Sequence, residues 1–291
     1  PMQNIITNFG SGITVAGAVL IAQYIGAGEK EDARSMANQI FICAMGFAVV
    51  CAALCFLGTP AIVNWLGADG GTAYYARVYL RVVIWDMPFL YMVNIFSAVH
   101  QAQGDTVRPM LLNLGGITLN LFLDPFFMII LDMGTAGAAL ATLLAKAVPA
   151  TVAFILLCRP ENDICLNRRY MQLQREKLGM ILKVGLPTAI GGSTMQLGFL
   201  LMSKNVFVYG TEAMAAYGIG NKVNGLITLP SNAIGSATAT IVGQNMGAKQ
   251  PERAEQGCRF SMWISVVFLF IGGMILSRDM ISTAIVSIFS K

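Results

Sequence analysis

Charged residues are scarce in this sequence: Asp, Glu, Lys and Arg together make up 12% of its 291 residues. A soluble globular domain carries about 25% charged residues. The chain has a single histidine. It also lacks a Gly-rich phosphate loop, a Ser-His-Asp grouping and a cluster of metal-ligating histidines. These absences argue against the common catalytic and nucleotide-binding sites, and we predict that the protein is not an enzyme.

The cysteines and the lone histidine offer no sign of a special site. Six cysteines are present, and none shows the paired C-x-x-C spacing of a metal or redox site. We therefore predict small apolar packing residues or interfacial thiols, rather than a disulfide or zinc framework. His100 ends an apolar stretch beside Gln101, which favours a solvated interfacial side chain over a functional one.

Long apolar stretches take the place of the missing charges. A helix needs about 20 apolar residues to cross the roughly 30 Å hydrocarbon layer of a membrane. The alternative, a large soluble protein with buried core helices, does not suit so many successive stretches of this length. We predict an all-α, polytopic membrane protein with eight transmembrane helices. The stretches run over residues 4–25, 38–65, 78–100, 108–131, 135–158, 179–202, 214–243 and 259–277.

Basic residues are distributed unevenly among the loops between these stretches. The odd-numbered loops hold most of them, including Lys30, Arg108 and the basic residues of 159–183. The even-numbered loops hold only Arg77, Arg81 and Lys204. Basic loops stay in the cytoplasm, so this asymmetry places the odd-numbered loops there. The basic residues orient the chain, and we expect no nucleic-acid partner.

The two ends of the sequence resemble each other at a spacing of 221 residues, without a gap. Six predicted spans separate the copies, so both copies run in the same direction. A parallel repeat of this kind builds two-lobed transporters, with the repeat axis along the membrane normal. The matching positions include Gln23, Gly26 and Ala27, which pair with Gln244, Gly247 and Ala248.

Two lobes of six spans require twelve, and this chain has eight. We therefore expect one further span before residue 1 and about three after residue 291. The predicted organisation is an N-terminal lobe at 1–160, a cytoplasmic interlobe linker at 161–178 and the first three helices of a C-terminal lobe at 179–291.

Asp124 is an acid near the middle of an otherwise apolar stretch, at 108–131. A charge at the centre of a membrane costs about 2.5–3.5 kcal/mol even on the mildest scale. Asn120 lies four residues earlier and so on the same helical face. Pro125 follows directly and removes one main-chain hydrogen bond. An acid retained at such a cost is typical of a residue that handles an ion or a proton.

Several motifs resemble the multidrug and toxic compound extrusion (MATE) family of antiporters. They are the duplicated Gln-x-x-Gly-Ala turn, Gln103-Gly104-Asp105-Thr106, Asn120-x-x-x-Asp124-Pro125 and the run Gly137 to Thr142. The resemblance covers essentially the whole chain, as family helices two to nine. It implies twelve helices in two lobes around a central cleft, and export of organic, often cationic, compounds in exchange for protons or sodium.

The resemblance also implies a cation site in the first lobe. In members with such a site, the ligands correspond to Asn120, Asp124, Thr142 and the main-chain oxygen of Ala138. A further family aspartate lies on the first helix, so we expect an apolar helix with an acid near its middle upstream of this sequence.

The spacing supports this site independently. Asp124 lies nine residues before the predicted hairpin turn at Met133, and Thr142 lies nine after it. At 1.5 Å per residue both are about 13 Å from the turn, so they can face each other. Carboxylate, amide, hydroxyl and carbonyl oxygens suit a hard cation such as sodium. The alternative is a structural Asn–Asp–Thr hydrogen-bond network that tightens helix packing.

Two other charges lie within predicted spans. Asp86 either lines the cleft or pairs with Arg81 near the interface. Lys146, four residues after Thr142 on the same face, either reaches toward the interface or takes the cation's place beside Asp124. The second arrangement favours proton over sodium coupling. Candidate cleft-lining residues follow Pro187 on the sixth span: Ser193, Thr194 and Gln196.

The sequence thus predicts a secondary active multidrug efflux transporter that works by proton or sodium antiport with alternating access. The alternatives are a lipid-linked precursor flippase of the same superfamily, which should carry more basic residues in the cleft, and a channel or receptor. We expect small organic cations or drugs and membrane lipids as partners, a monomer, no cofactor beyond the coupling ion, and a bacterial inner (plasma) membrane location.

Overall fold

The structure is a computed structural model that describes residues 2–65, 84–160 and 162–276. Within these residues the chain is helical and has no strand. A 3-10 turn at Ile84–Asp86 precedes α3, a π-helical turn at Phe126–Ile130 extends α4, and another 3-10 turn lies at Arg168–Tyr170. The eight α-helices of the described residues are α1 (Met2–Gly26), α2 (Lys30–Trp65), α3 (Met87–Ala102), α4 (Val107–Pro125), α5 (Gly134–Cys158), α6 (Arg175–Phe207), α7 (Thr211–Gly247) and α8 (Pro251–Leu276).

Each of the eight described helices overlaps one of the eight apolar stretches, so the predicted all-α architecture is confirmed. Four helical segments among the described residues are long and apolar enough to cross a membrane: Lys30–Thr59, Val107–Ile130, Ala136–Cys158 and Pro251–Ile275. Their outer faces expose large apolar side chains, such as Leu57 and Ile129, each 76% exposed. Exposed apolar surface on this scale suits lipid rather than water.

Helix α1 is the centre of the packing, because it contacts α2, α3, α6 and α7. Its crossing with α6 depends on two glycines. A Cβ on Gly12 would lie 2.5 Å from the Gly185 carbonyl oxygen, and a Cβ on Gly185 would lie 2.9 Å from the Gly12 carbonyl oxygen. Small residues allow membrane helices to approach this closely. The first predicted lobe therefore packs directly on the second.

The ends of α1 and α7 have the same local structure, as the repeat predicts. Gly28 and Lys249, which are equivalent in the repeat, both have a left-handed main chain, with φ of +78° and +57°. A left-handed residue just after a helix is the usual way to end it. Equivalent main-chain bonds close the two turns: Ala27 N donates to Gln23 O and Ala248 N donates to Gln244 O, each at 2.9 Å.

The segment between the lobes is bound to α2. The Gln39 amide donates to the Gln172 carbonyl oxygen at 2.5 Å and accepts from the Gln174 main-chain N–H at 3.1 Å. Helix α6 begins at Arg175, inside the predicted linker of 161–178. The buried Gln39 amide thus ties this segment to the first predicted lobe. The predicted domain boundaries stay a prediction.

The cysteines are free, as predicted, but the prediction of a solvated His100 is wrong. His100 is buried, its Nδ1 lies 2.9 Å from the Phe96 carbonyl oxygen, and its ring centroid is 4.0 Å from that of Phe96. The hydrogen bond to the preceding turn supplies Nδ1 with a partner inside its own helix, which lowers the cost of burying the ring.

Candidate functional site

Asp124 lies at the point where α4 changes from an α-helix to a π-helical turn. Pro125 follows it, and the main chain then closes the wider turn through a bond from Leu131 N to the Phe126 carbonyl oxygen, 3.1 Å long. Because proline lacks an N–H, the regular helical pattern is interrupted here. The half-buried carboxylate of Asp124 accepts a hydrogen bond from Asn120 Nδ2 at 3.3 Å.

Thr142 and Ala138 form a matching pair on α5. Thr142 Oγ1 donates to the Ala138 carbonyl oxygen at 2.9 Å. In an α-helix the same carbonyl also accepts from the main-chain N–H four residues later, which here is that of Thr142. Both lone pairs of the Ala138 oxygen are therefore engaged. The hydroxyl oxygen of Thr142 retains acceptor capacity.

Helices α4 and α5 pack closely enough for the two pairs to meet around one cavity. A Cβ on Gly116 would lie 3.0 Å from the Ala145 carbonyl oxygen, and one on Gly137 would lie 2.8 Å from the Phe127 carbonyl oxygen. At both glycines the main chains of the α4–α5 hairpin therefore pack in direct contact. They bring Asn120 and Thr142 to the same cavity, whereas Asp124, which the spacing placed opposite Thr142, is not among its lining residues.

This cavity lies between α3, α4 and α5 and has a volume of about 250 Å³. Most of its surface is apolar, and its polar groups come from two asparagines, a threonine and a lysine. Asn113 is a lining residue that the sequence alone did not single out. The lining residues are Leu90, Val93, Leu112, Asn113, Gly116, Ile117, Asn120, Thr142, Ala145, Lys146 and Pro149.

Lys146 is paired with Asp86, not with Asp124. Lys146 Nζ lies 2.5 Å from Asp86 Oδ2; the Asp86 side chain is 0% exposed, whereas that of Lys146 is 32% exposed. Helix α3 packs on α5, so residues 60 positions apart in sequence meet. The suggested pairing of Asp86 with Arg81 lies outside the described residues. Of the two alternatives considered for Lys146, the place beside Asp124 is therefore not the one that the structure shows.

The predicted cleft residues on α6 lie in a different part of the molecule, because α6 packs against α1 and α7. Thr194 is exposed and donates to the Ile190 carbonyl oxygen at 2.8 Å. Ser193 and Gln196 are half-buried, and the Ser193 hydroxyl is enclosed without a hydrogen-bond partner. Nothing in these contacts joins the α6 residues to the Asp124 pair.

A second cavity, of about 310 Å³, lies between the lobes at α1, α3 and α7. Its polar lining is uncharged, with hydroxyl and amide groups from both lobes. The sequence pattern does not reveal this cavity, because scattered single polar residues give no signal until three helices bring them together. The polar residues are Ser11, Thr14, Asn94, Ser97, Gln101 and Ser236.

No group of three or more His, Cys, Asp or Glu side chains within the described ranges could hold a metal ion. Of the described residues at the candidate site, Asp124 contributes a carboxylate, and Asn120 and Thr142 contribute neutral oxygens.

The sequence profile of the MatE family matches residues 1–126 and 187–290. The chain belongs to the MatE family. This confirms the resemblance that the motifs indicated. The two matched segments include Asn120 and Asp124 of the candidate site and the repeated turns at the ends of α1 and α7.

Relatives of this MatE chain are described as multidrug resistance proteins. Probable multidrug resistance protein YoeA of Bacillus subtilis is 24% identical over 95% of this chain and 60% of its own length. Probable multidrug resistance protein NorM of Thermotoga maritima is 31% identical over 90% of this chain and 57% of its own length. The chain therefore spans about 60% of the length of the curated relatives it matches.

Solved MATE structures have the same fold. A crystal structure of MATE in complex with MaL6 covers 99% of this chain at a TM-score of 0.92 and 24% identity; the match spans 64% of that protein. A structure described as the outward-facing conformation of a multidrug resistance MATE transporter covers 96% at a TM-score of 0.87 and 24% identity, over 62% of its length. The likeness establishes the helical architecture of this MatE chain.

Proposed function

We propose that the protein containing this MatE chain exports amphipathic organic compounds by secondary active antiport, with Asp124 as the coupling carboxylate. The observation that carries the proposal is the half-buried position of Asp124 at a helix break, hydrogen-bonded to Asn120. Intramembrane acids are expensive and are kept for ion or proton handling. The multidrug resistance relatives support efflux as the direction of transport.

The proposed mechanism is alternating access between the two lobes. Helices α1 and α7 touch at the end that the loop charges place in the cytoplasm, where Gly26 lies against Gln244. Contact there supports an outward-facing state for this structure. Neutralising Asp124 would weaken its hydrogen bond with Asn120 and alter the packing of the interrupted helix. A ligand that favours one packing shifts the balance between inward and outward states.

We propose that the coupling ion is a proton rather than sodium. Lys146 no longer supplies the reason, since it is held by Asp86. The support comes instead from Ala138, whose carbonyl oxygen already accepts the Thr142 hydroxyl in addition to the helical N–H. A sodium ion would have to displace that hydrogen bond, whereas a proton needs only Asp124.

The decisive variant is Asp124→Asn in the protein expressed from its complete gene. The substitution keeps the side chain's size and removes only its charge, so we expect insertion in the membrane but loss of coupled export. Efflux of a fluorescent organic dye, normalised to the amount of protein in the membrane, measures it. Asp163→Asn, at an exposed ion pair with Lys30, is the matched control and should be neutral. Undiminished efflux in Asp124→Asn would reduce Asp124 to a packing residue.

The proposed transport function also includes an oligomeric state, a location and a set of partners. The protein acts as a monomer in the bacterial plasma membrane, needs no cofactor beyond the coupling ion, and has its organic substrates and the surrounding lipids as partners. It is a transporter rather than an enzyme. Membrane fractionation of a bacterial host, with light scattering of the purified protein in detergent, tests location and oligomeric state.

A further inference from the structure

We propose that the cavity between α3, α4 and α5 binds amphiphiles that carry one carboxylate, and that Lys146 recognises that charge. Only the conclusion that such a ligand is exported rests on the proposed function, because binding itself can be measured without transport. It departs from the organic cations that the family resemblance suggested. Its basis is the arrangement of Lys146, Asp86 and the cavity lining.

The positive charge of Lys146 is positioned by Asp86 and is accessible to a ligand in the cavity. Its ammonium group has three N–H donors, and Asp86 Oδ2 lies 2.5 Å from the nitrogen. Asp86 is fully buried, while about a third of the Lys146 side chain is exposed and lines the cavity. Asp86 thus positions Lys146 from the buried side of the ion pair, and the ammonium group is the part of the pair that a ligand can contact.

Two amides of the lining add hydrogen-bond donors. Asn113 Nδ2 donates to the Pro109 carbonyl oxygen at 2.9 Å, and Asn120 Nδ2 donates to Asp124 Oδ1. A primary amide carries two N–H donors, so each nitrogen keeps one for a ligand oxygen. Asp124 is not itself among the lining residues. Together with the Lys146 ammonium, these free N–H groups can bind an anionic acceptor.

The rest of the cavity suits a small apolar body. Leu90, Val93, Leu112 and Ile117 supply aliphatic walls, and a volume of about 250 Å³ is near the lower limit of small-molecule sites. A single ammonium that already faces one carboxylate complements at most one further negative charge. The class of ligand is consequently a compact aryl or alkyl body with a single carboxylate, rather than a multiply charged phosphate.

The competing explanation is that the ion pair only fastens α3 to α5. Ligands that share one body and differ in the head group separate the two explanations. We suggest 4-(1-naphthyl)butyrate, its methyl ester, the corresponding naphthylbutyl ammonium and the corresponding phosphate monoester. Equilibrium dialysis of the radiolabelled compounds with detergent-purified protein, expressed from its complete gene, gives their affinities.

We expect the carboxylate to bind at least tenfold more tightly than the ester, the ammonium and the phosphate monoester. Lys146→Gln should remove that preference and leave the affinity for the ester within twofold, while Lys146→Arg should retain the preference. Lys183→Gln, on the exposed side of α6, is the matched control and should change nothing. If loss of the Lys146 charge beside the buried Asp86 prevents Lys146→Gln from folding, Asp86→Asn with Lys146→Gln removes both charges and should show the same loss of preference.

An equal affinity for all four compounds in the unchanged protein would overturn the proposal. A carboxylate preference that survives both Lys146→Gln and the double substitution would overturn it too. Tighter binding of the phosphate monoester would replace the carboxylate with a phosphate-bearing class. Failure of the efflux proposal has a different signature, because Asp124→Asn would then leave export unchanged whatever the binding affinities are.

Discussion

Gly26 and Gly247 make reciprocal contacts at the crossing of α1 and α7. A Cβ on Gly26 would lie 1.9 Å from the Gln244 carbonyl oxygen, and a Cβ on Gly247 would lie 1.9 Å from the Gln23 carbonyl oxygen. Each glycine is equivalent to the other in the repeat, and so are the two glutamines. The duplicated turns therefore meet each other across a local two-fold axis. This contact closes one end of the interlobe cleft.

The first prediction is that Gly26→Ala opens this contact. The added methyl group cannot fit against main chain, so the helices must separate, at a cost of about 1–3 kcal/mol. We expect faster labelling of a reporter cysteine at Thr14, which lines the interlobe cavity. The measurement uses an impermeant thiol reagent in inside-out vesicles, with the native cysteines replaced by serine.

The control for that experiment is Gly46→Ala, because a Cβ at Gly46 meets nothing within 4 Å. Gly247→Ala should reproduce the effect of Gly26→Ala, since the two contacts are equivalent. Unchanged labelling in both Gly26→Ala and Gly247→Ala would mean that the crossing is not the closed end of the cleft.

The second prediction concerns the left-handed residue that follows each repeated helix end. Gly28 has φ of +78° without strain, whereas Lys249 adopts φ of +57° with a side chain. A left-handed conformation costs an ordinary residue about 1–2 kcal/mol. We therefore expect Lys249→Gly to raise the thermal unfolding midpoint in detergent, and Gly28→Ala to lower it. Lys249→Ala, which keeps the Cβ, is the control. If it raised the unfolding midpoint as much as Lys249→Gly does, the loss of the lysine charge rather than relief of the left-handed conformation would be the cause.

Local patterns predicted the helices and the hairpin geometry, since both follow from spacing along the chain. Asn120 and Asp124 share a helical face, as their spacing of four residues indicated. The counts from Met133 placed Asp124 opposite Thr142, and that facing arrangement stays a prediction, since the cavity brings Asn120 and not Asp124 to Thr142. The partner of Lys146 could not be found in this way. Asp86 lies 60 residues away, and its approach depends on how α3 packs against α5. Two opposite charges within apolar spans were the available signal.

The burial of polar side chains also could not be predicted from local sequence patterns. His100 is subject to two opposing tendencies. A position near a helix end favours exposure to solvent, whereas a hydrogen bond to its own helix permits burial. The tertiary contacts decide between them. The linker shows the same dependence, because the Gln39 amide on α2 supplies the hydrogen bonds that hold it.

The third prediction separates proton from sodium coupling at the α5 pair. Thr142→Val removes the hydroxyl and frees one lone pair of the Ala138 oxygen, while it leaves Asp124 unchanged. In proteoliposomes of the complete protein, we expect efflux driven by an imposed pH gradient to persist within about twofold, because a proton requires only the carboxylate. A sodium gradient should drive little efflux in either protein. Efflux that follows sodium and falls tenfold or more in Thr142→Val would identify Asn120, Asp124, Ala138 and Thr142 as sodium ligands.

The fourth prediction concerns the energetic coupling of Asp86 and Lys146. Removing one partner of a buried ion pair is strongly destabilising, by about 3–5 kcal/mol, because the other charge stays desolvated. Asp86 is fully buried and Lys146 is not, so Lys146→Ala should cost more stability than Asp86→Ala. A lone Lys146 ammonium can turn toward the open side of the cavity, whereas the Asp86 carboxylate is fully buried and stays desolvated.

A double-mutant cycle measures this coupling. The combined substitution should be less destabilising than the sum of the two single ones, by about 1–3 kcal/mol for groups in direct contact. Thermal unfolding of all four proteins in detergent supplies the comparison. Additive effects would show that the pair contributes nothing beyond its separate packing. In that case Asp86 would not position Lys146, and the cationic side of the cavity would have to be maintained by the fold of α5 alone.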